Sequence, residues 1–160
     1  MDKTKLKQAM FGAGCFWGVQ YNFDQLKGVV ETEVGYAGGH TPNPTYKSVC
    51  SDTTGHAEVV HLWYDPGVIK YEALLKDFWE NHDPTTMNRQ GPDVGSQYRS
   101  IIFYYDDEQK TEAEKSKEEL GKSGAYMNPI VTEIVPTSEF YRAEEYHQKY
   151  FDKTGQKVCH

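Results

Sequence analysis

The sequence predicts an α+β two-layer sandwich folded as one domain over residues 1–160. Three observations lead there. The length suits a single hydrophobic core. Runs rich in β-branched residues alternate with stretches of helical periodicity. No repeat, linker or composition shift divides the chain. At 38% hydrophobic and 26% charged residues, the composition is that of an ordinary globular protein rather than a disordered one.

Leu6 to Gly12 reads as a first strand, ending in the turn around Gly12 and Gly14. Phe16, Val19, Phe23 and Leu26 then recur at helical spacing, with Gly28 as a stop signal. Val29 to Tyr36 is a second strand, and Gly38 to Pro44 is a loop by its turn residues. His56 to Tyr64 is a third strand, with Glu58, Val60, Leu62 and Tyr64 on one face. Leu74, Leu75, Phe78, Trp79 and His82 form the stripe of a second helix. Asp83 to Gln97 carries Pro84, Gly91, Pro92 and Gly95 and reads as a long irregular segment; such loops more often serve function than not.

Arg99 to Tyr105 is a fourth strand. Asp107 to Lys122 is a charged, solvated helix whose acidic start and basic end suit the helix dipole. Ile130 to Val135 is the last strand, and Asp152 to His160 reads as a mobile tail. The predicted fold is thus a ferredoxin-like two-layer sandwich: a mixed sheet, helices on one side, and an irregular C-terminal tail.

The net charge of −7 argues against a nucleic-acid partner or an anionic membrane surface. No apolar run approaches the roughly 20 residues of a spanning helix. Met1 to Lys5 leads into the first strand without a cleavable apolar stretch, so a cytoplasmic location is expected.

Three cysteines, Cys15, Cys50 and Cys159, do not make a disulfide framework. Cys15 falls at the start of the first helix, where unpaired N–H groups and the dipole lower a thiol from its free pKa of about 8.5. Flanking glycines and the aromatics Phe16 and Trp17 suit a reactive thiol. By themselves, these residues leave a packed, inert thiol equally open. A zinc module built on Cys50, His56, His61 and Cys159 lacks the paired spacing of such sites, so no metal or cofactor is expected.

Gly14-Cys15-Phe16-Trp17-Gly18 resembles the signature of the peptide methionine sulfoxide reductase A family. Gly35-Tyr36-Ala37-Gly38-Gly39, Gly55-His56-Ala57-Glu58-Val59-Val60, Gly95-Ser96-Gln97-Tyr98-Arg99-Ser100 and Ala143-Glu144-Glu145-Tyr146-His147-Gln148 resemble further segments of it, in the same order. Together they span Ala9 to about Tyr150.

The resemblance implies reduction of methionine-S-sulfoxide, free or in proteins, to methionine. Cys15 is then the attacking thiolate and Glu58 the acid that protonates the departing oxygen. That role requires a carboxyl partly desolvated from its reference pKa of about 4.3. Strand alternation alone favours an exposed carboxylate at Glu58, and the resemblance reverses that preference. Tyr36 and Tyr98 are implied to bind the oxygen, Asp93 to hold this polar group, and Phe16 and Trp17 to receive the methyl group. Around Asp93, Pro92 and Val94 depart from the family's usual pattern.

The Cys15 sulfenic acid is implied to be resolved by Cys159, whose tail extends on the order of 25 Å from Asp152. Thioredoxin then reduces the disulfide. Cys50 is read as structural, and the protein as a monomer. A thiol peroxidase would share the sulfenic acid, but it does not account for the Phe16–Trp17 wall or for Glu58.

Overall fold

The computed structural model describes residues 5–155. In chain order the elements are β1 (Lys7–Ala13), α1 (Phe16–Asp24), β2 (Val29–Ala37), α2 (Tyr46–Cys50), β3 (Ala57–Tyr64), α3 (Tyr71–Glu80), β4 (Arg89–Gln90), β5 (Asp93–Val94), β6 (Ser100–Tyr104), α4 (Asp107–Lys122), β7 (Glu133–Pro136), β8 (Tyr141–Arg142) and α5 (Tyr150–Thr154). Short 3₁₀ turns cover Ser96–Tyr98 and Glu145–His147.

Six strands form one sheet in the order β7-β6-β1-β3-β2-β8. β1 and β2 both run antiparallel to β3, which lies between them, and β6 runs antiparallel to β1. Two split βαβ units result, the ferredoxin-like arrangement. β7 then joins β6 in parallel, which makes the sheet mixed, while β8 pairs antiparallel with β2 at the far edge.

Period-two alternation decides what each face buries. Phe11, Val34, Val60, Leu62 and Ile102 point to the side where Phe23 of α1, Leu74, Leu75 and Phe78 of α3, and Ala113 of α4 complete the main core. Phe11 is fully buried and lies 5.2 Å from Phe23 and 5.3 Å from Phe78, ring centroid to centroid. Met10, Ala37, Ala57, Val59, Ile101 and Phe103 face the other way, against Tyr105, Val135 and Phe140. The helices therefore cover one face only.

Four segments differ from the sequence expectations. α2 was not foreseen; it is a single turn started by a capping box between Thr45 and Ser48. The segment from Asp83 to Gln97 holds the β4–β5 hairpin, with Gly91 and Pro92 at its turn. β7 spans Glu133–Pro136 instead of Ile130 to Val135, and β8 follows it. Residues 152–154, expected as the start of a tail, belong to α5.

The C-terminal arm is clamped to the sheet before α5 begins. The Gln148 amide imitates a strand, accepting from Val34 N at 2.9 Å and donating to Val34 O at 2.9 Å. Lys149 donates to both Asp24 oxygens and to Thr32 Oγ1, each at 2.8 Å. β8 reaches its edge because Gly35 has no side chain: a Cβ there would sit 2.5 Å from the Phe140 ring.

Candidate active site

β1 ends at Ala13, and the chain reverses into α1 through Gly14 at φ +97°, a conformation that disfavours any L side chain. Cys15 is the N-cap residue of α1 and is partly exposed. The next residue, Phe16, donates its amide N–H to Glu58 Oε1 at 3.2 Å, across 42 positions of sequence. A helix leaves its first amides without internal partners, and here one of them is taken by the carboxyl of β3. Glu58 is 1% exposed and shares its face with Val60, Leu62 and Tyr64. The strand alternation expected for Glu58 is the one found.

Tyr36 lies directly opposite Glu58 across the β2–β3 ladder. Its hydroxyl donates to Glu144 Oε1 at 3.0 Å, and Glu144 Oε2 accepts the Tyr46 amide at 3.0 Å. The sequence reading gave Tyr36 an oxygen-binding role; its hydroxyl proton is directed to Glu144, and its phenol also lies within electrostatic reach of Glu58. A further phenol, that of Tyr46 in α2, is also brought toward Glu58 and Tyr98. Sequence reasoning missed both Tyr46 and Glu144. The signal for Glu144 stood in the motif Ala143 to Gln148; for Tyr46, only the Thr45–Ser48 cap was available.

Three phenols are held above their ordinary pKa. Burial is the main cause in each case, with Glu58 adding to it at Tyr46 and Tyr98, and Glu144 and then Glu58 at Tyr36. Each therefore remains a protonated donor at neutral pH. Asp93 and Cys15 also push Tyr98 up, so β5 and the start of α1 lie within electrostatic reach of that phenol. Pro92 and Val94 are exposed on the β4–β5 hairpin, so the departures from the family pattern lie on its outer side.

Cys50 closes α2 and is exposed. It is in hydrogen-bonding contact with Tyr46, and its thiol is raised by burial, Glu58 and Glu144. It thus lies at the edge of the site. Ser96 bonds Asp52 through its hydroxyl and amide, which ties the segment after Cys50 to the turn carrying Tyr98.

The aromatic side of the site is built from α1 and the C-terminal arm. Phe16 is 1% exposed, with its ring centroid 5.8 Å from that of Tyr36. Trp17 stacks on Tyr150 at 3.9 Å and 11°. His56 is fully engaged, accepting from Gly39 N through Nδ1 and donating to Thr41 O through Nε2. Cys159 lies outside the described residues.

A thiol at a helix start, set among a buried carboxyl, protonated phenols and aromatic rings, defines a cysteine-dependent oxidoreductase. Residues 7–160 match the family model of peptide methionine sulfoxide reductase, and the chain belongs to that family. It is 63% identical over 150 residues to the peptide methionine sulfoxide reductase MsrA of Methanosarcina mazei, an alignment covering 94% of this chain and 71% of that one.

Reduced Mxr1 from Saccharomyces cerevisiae matches the structure with a TM-score of 0.91 at 41% identity, over 99% of this chain and 91% of that one. A structure of Mxr1 in complex with Trx2 matches with a TM-score of 0.66 at 30% identity, over 93% and 87% of the two chains. No helix among the described residues is long and apolar enough to cross a membrane.

Proposed function

We propose that the protein reduces methionine-S-sulfoxide, free or within proteins, with Cys15 as nucleophile and Glu58 as acid. One observation carries this reading: the Phe16 amide holds the Glu58 carboxyl one residue beyond the Cys15 N-cap. The carboxyl of β3 is thereby tied to the helix turn that begins at the nucleophile.

In the proposed reaction the Cys15 thiolate attacks the sulfoxide sulfur. Glu58 gives its proton to the oxygen, whose departure with the S–O electron pair would otherwise leave an unstabilised oxyanion. The phenols of Tyr98 and Tyr46 donate to that oxygen, and Asp93 helps to orient Tyr98. Phe16 and Trp17 receive the methyl group. The protonated oxygen then adds to Cys15 Sγ as the new S–S bond breaks and its electron pair returns to the substrate sulfur, leaving methionine and a Cys15 sulfenic acid.

Tyr36 acts at one remove, holding Glu144 and through it the start of α2. Cys159 then condenses with the sulfenic acid, forming a disulfide and releasing water. A dithiol protein of the thioredoxin type reduces that disulfide by exchange, a role supported by the likeness to Mxr1 bound to Trx2. The protein acts as a monomer in the cytoplasm, without a nucleic-acid or membrane partner.

Turnover with thioredoxin and its reductase, on separated epimers, tests this function. The expected result is consumption of the S epimer alone, abolished in Cys15→Ser. Equal turnover of both epimers, or activity surviving in Cys15→Ser, overturns it.

A further inference from the structure

Glu144 enters the proposed reaction only as the partner of Tyr36. Its backbone is fixed by its neighbours: the Ala143 N–H donates to Val34 O at 2.9 Å, and Arg142 pairs with Gly35 at the edge of β2. From there the side chain reaches two elements at once. Oε1 accepts the Tyr36 hydroxyl of β2 at 3.0 Å, and Oε2 accepts the Tyr46 amide of α2 at 3.0 Å.

These contacts close a circuit around the site. Tyr36 stands directly opposite Glu58 in the β2–β3 ladder, its hydroxyl leads to Glu144, and Glu144 leads to Tyr46. The Tyr46 phenol in turn lies within electrostatic reach of Glu58. The ladder register that places the acid therefore also sets where this phenol stands.

α2 needs such a joint. Five residues make little more than one turn, too few for a helix to persist on its own hydrogen bonds. Its capping box ties Thr45 only to Ser48, and of its five side chains only Val49 is buried. The far end is held separately, where Asp52 accepts from the amide and hydroxyl of Ser96. The near end, which carries Tyr46, is tied to β2 through Glu144. Burial opposes ionisation of Glu144, but hydrogen bonds from the Tyr46 amide, its own amide and the Tyr36 hydroxyl, together with His147, hold it below the usual carboxylate pKa. Both oxygens are thus acceptors at neutral pH.

We infer that Glu144 is a positioning residue for sulfoxide reduction, its carboxylate joining Tyr36 to the start of α2 and so holding the Tyr46 phenol at the oxygen that Glu58 protonates. The inference rests on the reading of Tyr46 and Glu58 as partners of that oxygen. It makes the C-terminal arm part of the oxygen-binding side of the site.

The test is a double-mutant cycle on the full reduced chain, combining Glu144→Ala with Tyr46→Phe. The readout is the rate of methionine release in a single turnover of methionine-S-sulfoxide without reductant, so that recycling does not enter. Each single substitution is expected to slow that step about tenfold. In the Tyr46→Phe background, Glu144→Ala is expected to slow it by less than about twofold, while lowering the urea midpoint equally in both backgrounds. A role in folding alone would slow the step to the same extent in either background. Glu144→Gln can offer Oε1 to the Tyr46 amide and Nε2 to the Tyr36 oxygen, and is expected to recover the rate to within about threefold of the parent.

Equal slowing by Glu144→Ala in both backgrounds, or a Glu144→Gln rate no better than that of Glu144→Ala, overturns the inference. If Glu144→Ala does not fold, Glu144→Asp takes its place, since a carboxylate one methylene shorter cannot span both donors; equal slowing there overturns it too. Tyr46→Phe separates the two readings. An unchanged rate in Tyr46→Phe removes Tyr46 from the oxygen and the inference with it. A slowed Tyr46→Phe beside a parent-like Glu144→Ala removes only the role of Glu144.

Discussion

The Phe16 amide N–H donates to Glu58 Oε1 at 3.2 Å, so the helix that begins at the proposed nucleophile is tied at its first turn to the proposed acid. A carboxyl and an amide both present an acceptor oxygen there, but only the carboxyl carries a transferable proton. Glu58→Gln is therefore expected to fold with α1 in place. Its kcat/KM is expected to fall by about 10²–10⁴ while Cys15 still reacts with a small alkylating reagent. Stopped-flow reduction and alkylation rates check this. Near-parent reduction by Glu58→Gln would remove Glu58 as the acid.

The phenols separate by partner. Tyr36→Phe leaves Glu144 without one donor, and is expected to cost stability of about 1 kcal/mol while reducing kcat/KM less than the other two changes. Tyr46→Phe and Tyr98→Phe each remove a donor facing Glu58, and are each expected to lower kcat/KM about tenfold or more. Denaturant titrations and steady-state kinetics on the three variants test this order. Tyr36→Phe as damaging to kcat/KM as Tyr98→Phe would return the oxygen-binding role to Tyr36.

His82 sits just beyond α3, its Nδ1 donating to Phe78 O at 2.5 Å and its Nε2 accepting from Ser100 Oγ at 2.7 Å. Burial lowers its pKa to about 4, despite opposing contributions from Phe78 O and Asp83. The folded pKa is below the unfolded value, so between about pH 6.5 and 4 the unfolded chain binds the extra proton. Stability is therefore lost as pH falls through that window, by up to about 3 kcal/mol, and this term is constant above it. Urea midpoints from pH 7.5 to 4.5 are expected to fall more steeply for the parent than for His82→Gln. Parallel pH profiles would contradict the assignment.

Much of the framework was legible because it repeats a local rule. Alternation along β3 placed Glu58 on one face with Val60, Leu62 and Tyr64, and the spacing of Phe16, Val19 and Phe23 placed Cys15 at the start of α1. The parts that were not legible depend on single long-range contacts. β8 is two residues long and exists because Gly35 admits a close neighbour. Glu144 meets Tyr36 across 108 positions, a pairing without periodicity to announce it. α2 is one turn following a loop with two prolines, too short to carry a hydrophobic stripe, and Tyr46 went unread with it. Family motifs pointed to Glu58 as the proposed acid, but only the fold brings Tyr46 of α2 toward it.

The most direct test of the central claim is a single turnover without reductant in Cys159→Ser, using methionine-S-sulfoxide and a sulfenic-acid trapping reagent. The expected result is about one methionine released per chain, with the trap on the peptide containing Cys15. Failure to release methionine, or a trap carried by Cys50, would contradict the assignment of Cys15 as the atom that takes the oxygen.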